Sequence, residues 1–118
     1  MSEQVVYVDR FQLREGKLED FRRYATEVAA FVQEHEPGVV SFNYYIGQDG
    51  ERGTALFVFS SAEALDSHLD VVSSRFQEGY EQLRATEIEL LGEPSDRAIA
   101  MAASFNAILK TQIAGFSR

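Results

Sequence analysis

The sequence predicts an α+β domain in which strand, helix, strand, strand, helix and strand follow one another, with an apolar helix added at the C-terminus. Three observations carry this. Runs rich in β-branched and aromatic residues alternate with stretches whose apolar residues recur at helical spacing. The only two prolines, Pro37 and Pro94, fall where elements should end. No repeat, low-complexity tract or linker interrupts the 118 residues, 45% of them hydrophobic, so residues 1–118 read as one domain with one core.

The first strand is Val5 to Leu13, closed by Gly16. A helix then spans Lys17 to His35, with Leu18, Phe21, Ala25, Val28, Ala29 and Val32 at helical spacing. Glu19 and Asp20 suit its N-terminal dipole and His35 its C-terminal one. Pro37 disfavours α geometry at Glu36, so Pro37-Gly38 stops this helix. Val39 to Ile46 and Thr54 to Ser60 are two further strands, and the turn-rich loop Gly47 to Gly53 between them predicts an antiparallel hairpin. Ser61 suits the N-cap of a second helix from Ala62, whose apolar face is Leu65, Leu69, Val72 and Phe76. Ser73-Ser74 and Gly79 predict that it breaks or bends. Ala85 to Leu91 is the fourth strand. After Pro94, Ser95 or Asp96 caps a final helix expected over residues 95–114, bearing Ile99, Ala102, Phe105, Leu109 and Ile113.

Two right-handed strand-helix-strand crossovers joined by a hairpin place both helices on one face of a four-stranded antiparallel sheet, the first and third strands central. This is a ferredoxin-like βαββαβ core over residues 5–91. Its central strands are apolar on both sides: Val5, Tyr7 and Phe11 against Val6 and Val8, then Ala55, Phe57 and Phe59 against Leu56 and Val58. Two helices cover only one face. The other is expected to meet a second copy in a two-fold homodimer; the alternative is that the C-terminal helix folds over it within one chain.

Composition narrows the function. A formal charge of -8 and a pI near 4.7 leave no basic stripe for phosphates, which argues against nucleic acid. No apolar run is long enough for a bilayer, and strand-like sequence follows Gln4 directly, so no membrane partner and a cytoplasmic location are expected. Without cysteine there is no disulfide, thiolate metal site or cysteine nucleophile. Two histidines far apart in sequence, with no carboxylate at ligand spacing on the same element, give no metal signature.

Among the remaining candidates, His68 lies on the flank of the apolar face of the second helix, three residues after Leu65 and four before Val72, with a pKa suited to proton transfer. The plainer reading is a partly buried histidine bonded to a backbone carbonyl. Asp9 stands between Tyr7 and Phe11 on an apolar strand face, where a carboxylate is costly unless paired. It either makes an internal ion pair or hydrogen bond, or points into a ligand cavity. Asn43 can supply cavity polarity from the second strand if the register turns it inward. Tyr7, Phe76 and Tyr80 line a pocket or simply fill the core.

Three segments resemble the antibiotic biosynthesis monooxygenase family, a branch of the dimeric α/β-barrel proteins: Arg10 to Phe21, Pro37 to Phe42, and Phe57 to His68. The resemblance covers Val5 to Leu91 and leaves out the C-terminal helix. It implies a homodimeric α/β barrel and a cofactor-independent oxygenase that binds a small electron-rich aromatic, such as a quinol or polycyclic phenol, and lets its deprotonated form meet dioxygen. On that reading His68 is the base, Asp9 orients a substrate hydroxyl or His68 itself, and Tyr7, Phe57, Phe59 and Phe76 are walls. Phe57 and Phe59 stand where the family often has an acidic residue and a tryptophan. In the haem-degrading relatives, asparagine, tryptophan and an axial histidine occupy the places of Asp9, His68 and Tyr80. No cofactor is therefore expected, with haem on Tyr80 as the lesser alternative. The rival reading is a non-catalytic barrel that binds a small ligand or serves a structural role.

Overall fold

The computed structural model describes residues 3–75 and 83–118. Its elements are β1 (Val5–Leu13), α1 (Leu18–His35), β2 (Val39–Ile46), β3 (Arg52–Phe59), α2 (Ala62–Arg75), β4 (Leu83–Leu91), α3 (Asp96–Ser104) and β5 (Ile108–Lys110). β1 pairs with β3 and β4, and β3 with β2, all antiparallel. β5 adds to β4 in parallel, giving the order β2-β3-β1-β4-β5. The sheet is thus five-stranded and mixed where the sequence predicts four antiparallel strands.

The extra strand exists because the last helix is shorter than expected. The spacing of Phe105, Leu109 and Ile113 suggests a helix to residue 114, yet α3 ends at Ser104. Asn106 adopts the left-handed conformation, φ 57°, and the Ala107 N–H closes the end on the Ala102 carbonyl. Asparagine tolerates that conformation better than most residues, so the chain reverses there and its next apolar residues enter the sheet edge. At the other end Ser95 caps α3 by accepting from the Ala98 N–H, as Ser61 caps α2 by accepting from Ala64. Ser73 and Ser74 lie inside α2, their hydroxyls bonded back to the Asp70 and Val71 carbonyls. The expected break at Gly79 falls outside the described residues.

The helices lie against one sheet face. Val5, Phe11, Phe21, Phe59, Leu65 and Leu90 anchor a core that reaches Ala98 and Ala102 of α3. Phe21 of α1 meets Phe11 and, edge-on, Tyr44. Register places Val6, Val8, Leu56 and Val58 together on the opposite face. Glu89 shares that face, drawn toward Lys110 at 2.8 Å and Arg10 at 3.9 Å.

Candidate active site

The register builds the floor of the site. Phe42 pairs with Phe57, and Phe57 with Tyr7, so three rings from β2, β3 and β1 form one row. Phe42 and Phe57 stack at 3.8 Å between centroids, and Tyr7 and Phe57 at 5.5 Å. In the next row, Asp9 lies between Ala55 and Ile88. The small side chain of Ala55 leaves space beside the carboxylate.

Over Tyr7 and Phe57 of this row lies a cavity of about 480 Å³, within the range of small-molecule sites. Leu65, His68, Leu69 and Val72 of α2 form one wall, and Ala98, Met101, Ala102 and Phe105 of α3 another. Tyr7, Asp9, Phe57 and Phe59 line the sheet side, so His68 and Asp9 line one largely apolar, partly open volume.

Each polar group has its own partner. Tyr7 donates its hydroxyl hydrogen to Asp9 Oδ2 at 2.8 Å, while Asp9 Oδ1 is buried without a partner. Burial raises the Asp9 pKa to about 6, the Tyr7 hydrogen bond holding it from going higher. His68 Nδ1 lies 2.9 Å from Oε1 of Glu36, at the end of α1. Burial lowers the His68 pKa below 6.5, opposed by the Glu36 carboxylate. The imidazole is therefore neutral at physiological pH. Of the two roles expected of Asp9, orienting His68 falls to Glu36 instead, because the end of α1 meets α2 there.

Asn43 does not line the cavity. β2 bulges between Val39 and Ser41, which turns Phe42 and Tyr44 toward the helices and Asn43 to the opposite face, where it donates to Ser41 Oγ at 2.9 Å. Phe76 and Tyr80, and with Tyr80 the haem alternative, lie outside the described residues. Sequence reasoning missed Glu36 and the α3 wall. Glu36 carries no periodic signal, only its place before Pro37; Ala98 and Ala102 sit one turn apart on an apolar helix whose destination was open. Among the described residues no group of three or more His, Cys, Asp or Glu side chains is assembled to hold a metal, and no helix is long and apolar enough to cross a membrane.

Fold and site together define a ferredoxin-like α+β domain with an apolar cavity lined by two buried titratable groups. Residues 5–82 match the sequence profile of antibiotic biosynthesis monooxygenases, and the chain belongs to that family. No curated protein matches the sequence. Among solved structures, MupZ from Pseudomonas fluorescens is similar at 22% identity and a TM-score of 0.85, over 98% of this chain and 95% of that one. SnoaB, a cofactor-independent oxygenase from Streptomyces nogalater, is similar at 19% identity and a TM-score of 0.65, over 79% of this chain and 95% of that one. A conserved protein from Methanosarcina mazei shares 22% identity and a TM-score of 0.65, over 75% of this chain and 91% of that one.

Proposed function

We propose that this protein is a cofactor-independent monooxygenase acting on a small electron-rich aromatic, a quinol or polycyclic phenol, and working as a homodimer through the sheet faces turned away from the helices. The observation that carries the reading is the presence of neutral His68 and buried Asp9 on the walls of one apolar cavity. Membership of a monooxygenase family supports the reaction class. The likeness to SnoaB, itself a cofactor-independent oxygenase, supports doing without a cofactor.

For an anthrone-like substrate, the ring system lies against Tyr7 and Phe57 and a phenolic hydroxyl is directed toward the Asp9 carboxyl. His68 takes a proton from the activated methylene carbon, and the resulting anion is delocalised onto oxygen. Carbon then bonds to dioxygen, and the peroxide formed takes a proton. Loss of water cleaves the O–O bond as the second C–H proton leaves. CH₂ and O₂ become C=O and H₂O, with all electrons supplied by the substrate. With its pKa raised to about 6, Asp9 takes up a proton from solvent as the anion forms beside it, and hydrogen-bonds that anion instead of repelling it.

The test is oxygen uptake with anthrone-like phenols and naphthoquinols, without added flavin, nicotinamide or metal. Uptake of one O₂ per anthrone, lowered by about 10²-fold in His68→Ala, is the expected result. No uptake above the uncatalysed rate, with binding still seen by fluorescence titration, would assign the cavity to a non-catalytic ligand-binding protein.

A further inference from the structure

We propose that Glu36 is a positioning residue of this site: it holds His68 in the tautomer with hydrogen on Nδ1 and leaves Nε2 free to accept the substrate proton. The inference rests on the reading of His68 as base. Nδ1 and Glu36 Oε1 are 2.9 Å apart, and the two side chains are only 6% and 8% exposed. A carboxylate accepts and does not donate, so with Glu36 ionised the shared hydrogen belongs to Nδ1. No protein group among the described residues is hydrogen-bonded to Nε2, and His68 lines the cavity.

The chain places Glu36 there by a local device. Glu36 ends α1, its N–H bonded to the Val32 carbonyl at 2.9 Å, and Pro37 prevents another turn. Gly38 then passes so close to α2 that a Cβ on it would lie 2.8 Å from Ala64 Cβ. Ala64 and His68 are one turn apart on α2. Two positions of the Glu36-Pro37-Gly38 segment thus meet two successive turns of α2, fixing the helix and its imidazole together.

The buried carboxyl needs a reason, since an apolar pair would hold these elements at lower desolvation cost. Among the described residues, nothing hydrogen-bonds the buried Glu36 Oε2. What a carboxylate supplies here is a fixed tautomer, and stabilisation of the imidazolium once the proton arrives. Other ionisable groups around His68 have different attachments. Asp9 lines the same cavity from β1 and is bonded by Tyr7; on α2 itself, Asp66 is bonded by Ser95 and Asp70 by Arg97 of α3. β2 and β3 contribute rings, with Phe42 and Phe59 each 5.4 Å from the imidazole.

With two histidines in the chain, ¹⁵N NMR reads the tautomer and titration of His68 directly and without substrate. Wild type should show hydrogen on Nδ1 at pH 8. Glu36→Gln should show mixed tautomers and a lower titration midpoint, because an amide both donates and accepts and carries no charge. In oxygen uptake the same variant should lose about tenfold or more in kcat with KM little changed, and its acid limb should move to lower pH. Hydrogen found on Nε2 in wild type overturns the proposal whether or not the variant folds; so does an unchanged tautomer and titration in Glu36→Gln. The tautomer change in the variant, alongside a wild type inert toward every phenol, supports the role of Glu36 and sinks the oxygenase reading alone.

Discussion

Tyr7 donates its phenolic hydrogen to one oxygen of Asp9, two positions along the same face of β1, and the other oxygen stays buried and unbonded. The folded state therefore holds the Asp9 proton more tightly than the unfolded chain, with a pKa of about 6 against an ordinary 3.8. Stability from this group is fully present below the unfolded value and is lost as pH rises through the folded one. Asp9→Asn removes the ionisation and should stabilise the protein at pH 8 by roughly 1–3 kcal/mol, with little effect at pH 4. Urea midpoints at the two pH values check this. A destabilised variant at pH 8 would show that the carboxylate is paired after all.

His68 has the opposite slope. Its folded pKa lies below its unfolded value, so its contribution is present above about pH 6.5 and is lost as pH falls through the folded pKa. Replacing it also leaves Glu36 buried and alone. His68→Ala should cost about 3 kcal/mol, and adding Glu36→Gln should recover part of that loss. Thermal melts of the two single variants and the double variant give the coupling, and additive losses would argue that the pair is not coupled.

Ala98 and Ala102 are buried and line the cavity from α3, where any larger side chain extends into that space. Ala102→Phe should lower oxygen uptake with three-ring phenols by about tenfold or more without a comparable fall in melting temperature, an apolar ring being lodged in an apolar space. Full activity in this variant would mean that the substrate lies elsewhere.

The sheet face away from the helices carries Val6, Val8, Leu56 and Val58 in register, Val8 buried and the other three half-buried. Sedimentation at micromolar concentration should give twice the chain mass, and Leu56→Arg should give a folded monomer. A wild-type monomer would remove the two-fold pairing.

Beyond β5, Ile113 and Phe116 are 99% and 77% exposed. If these residues meet the second copy, deleting residues 111–118 should weaken the dimer and leave the fold of each chain intact. Circular dichroism with dilution experiments separates the two effects, and unchanged association would count against a docking role for the tail.

Local chemistry made much of this protein legible in its sequence. Val5–Leu13 and Val39–Ile46 have the predicted boundaries because β-branched and aromatic runs end at glycine, and Pro37-Gly38 stops α1 by backbone sterics that act within a few residues. The inward direction of Asp9 and His68 followed from periods of two and 3.6 residues. Tertiary structure decided what those periods do not encode. One extra residue at Val40 turned Asn43 away from the cavity, and the left-handed turn at Asn106 converted the expected end of a helix into β5. The partnership of Glu36 with His68 spans 32 residues and arises only where the end of α1 meets α2. Likewise, α3 became a cavity wall because small Ala98 and Ala102 let it approach the sheet, and that contact is settled by packing across the whole domain.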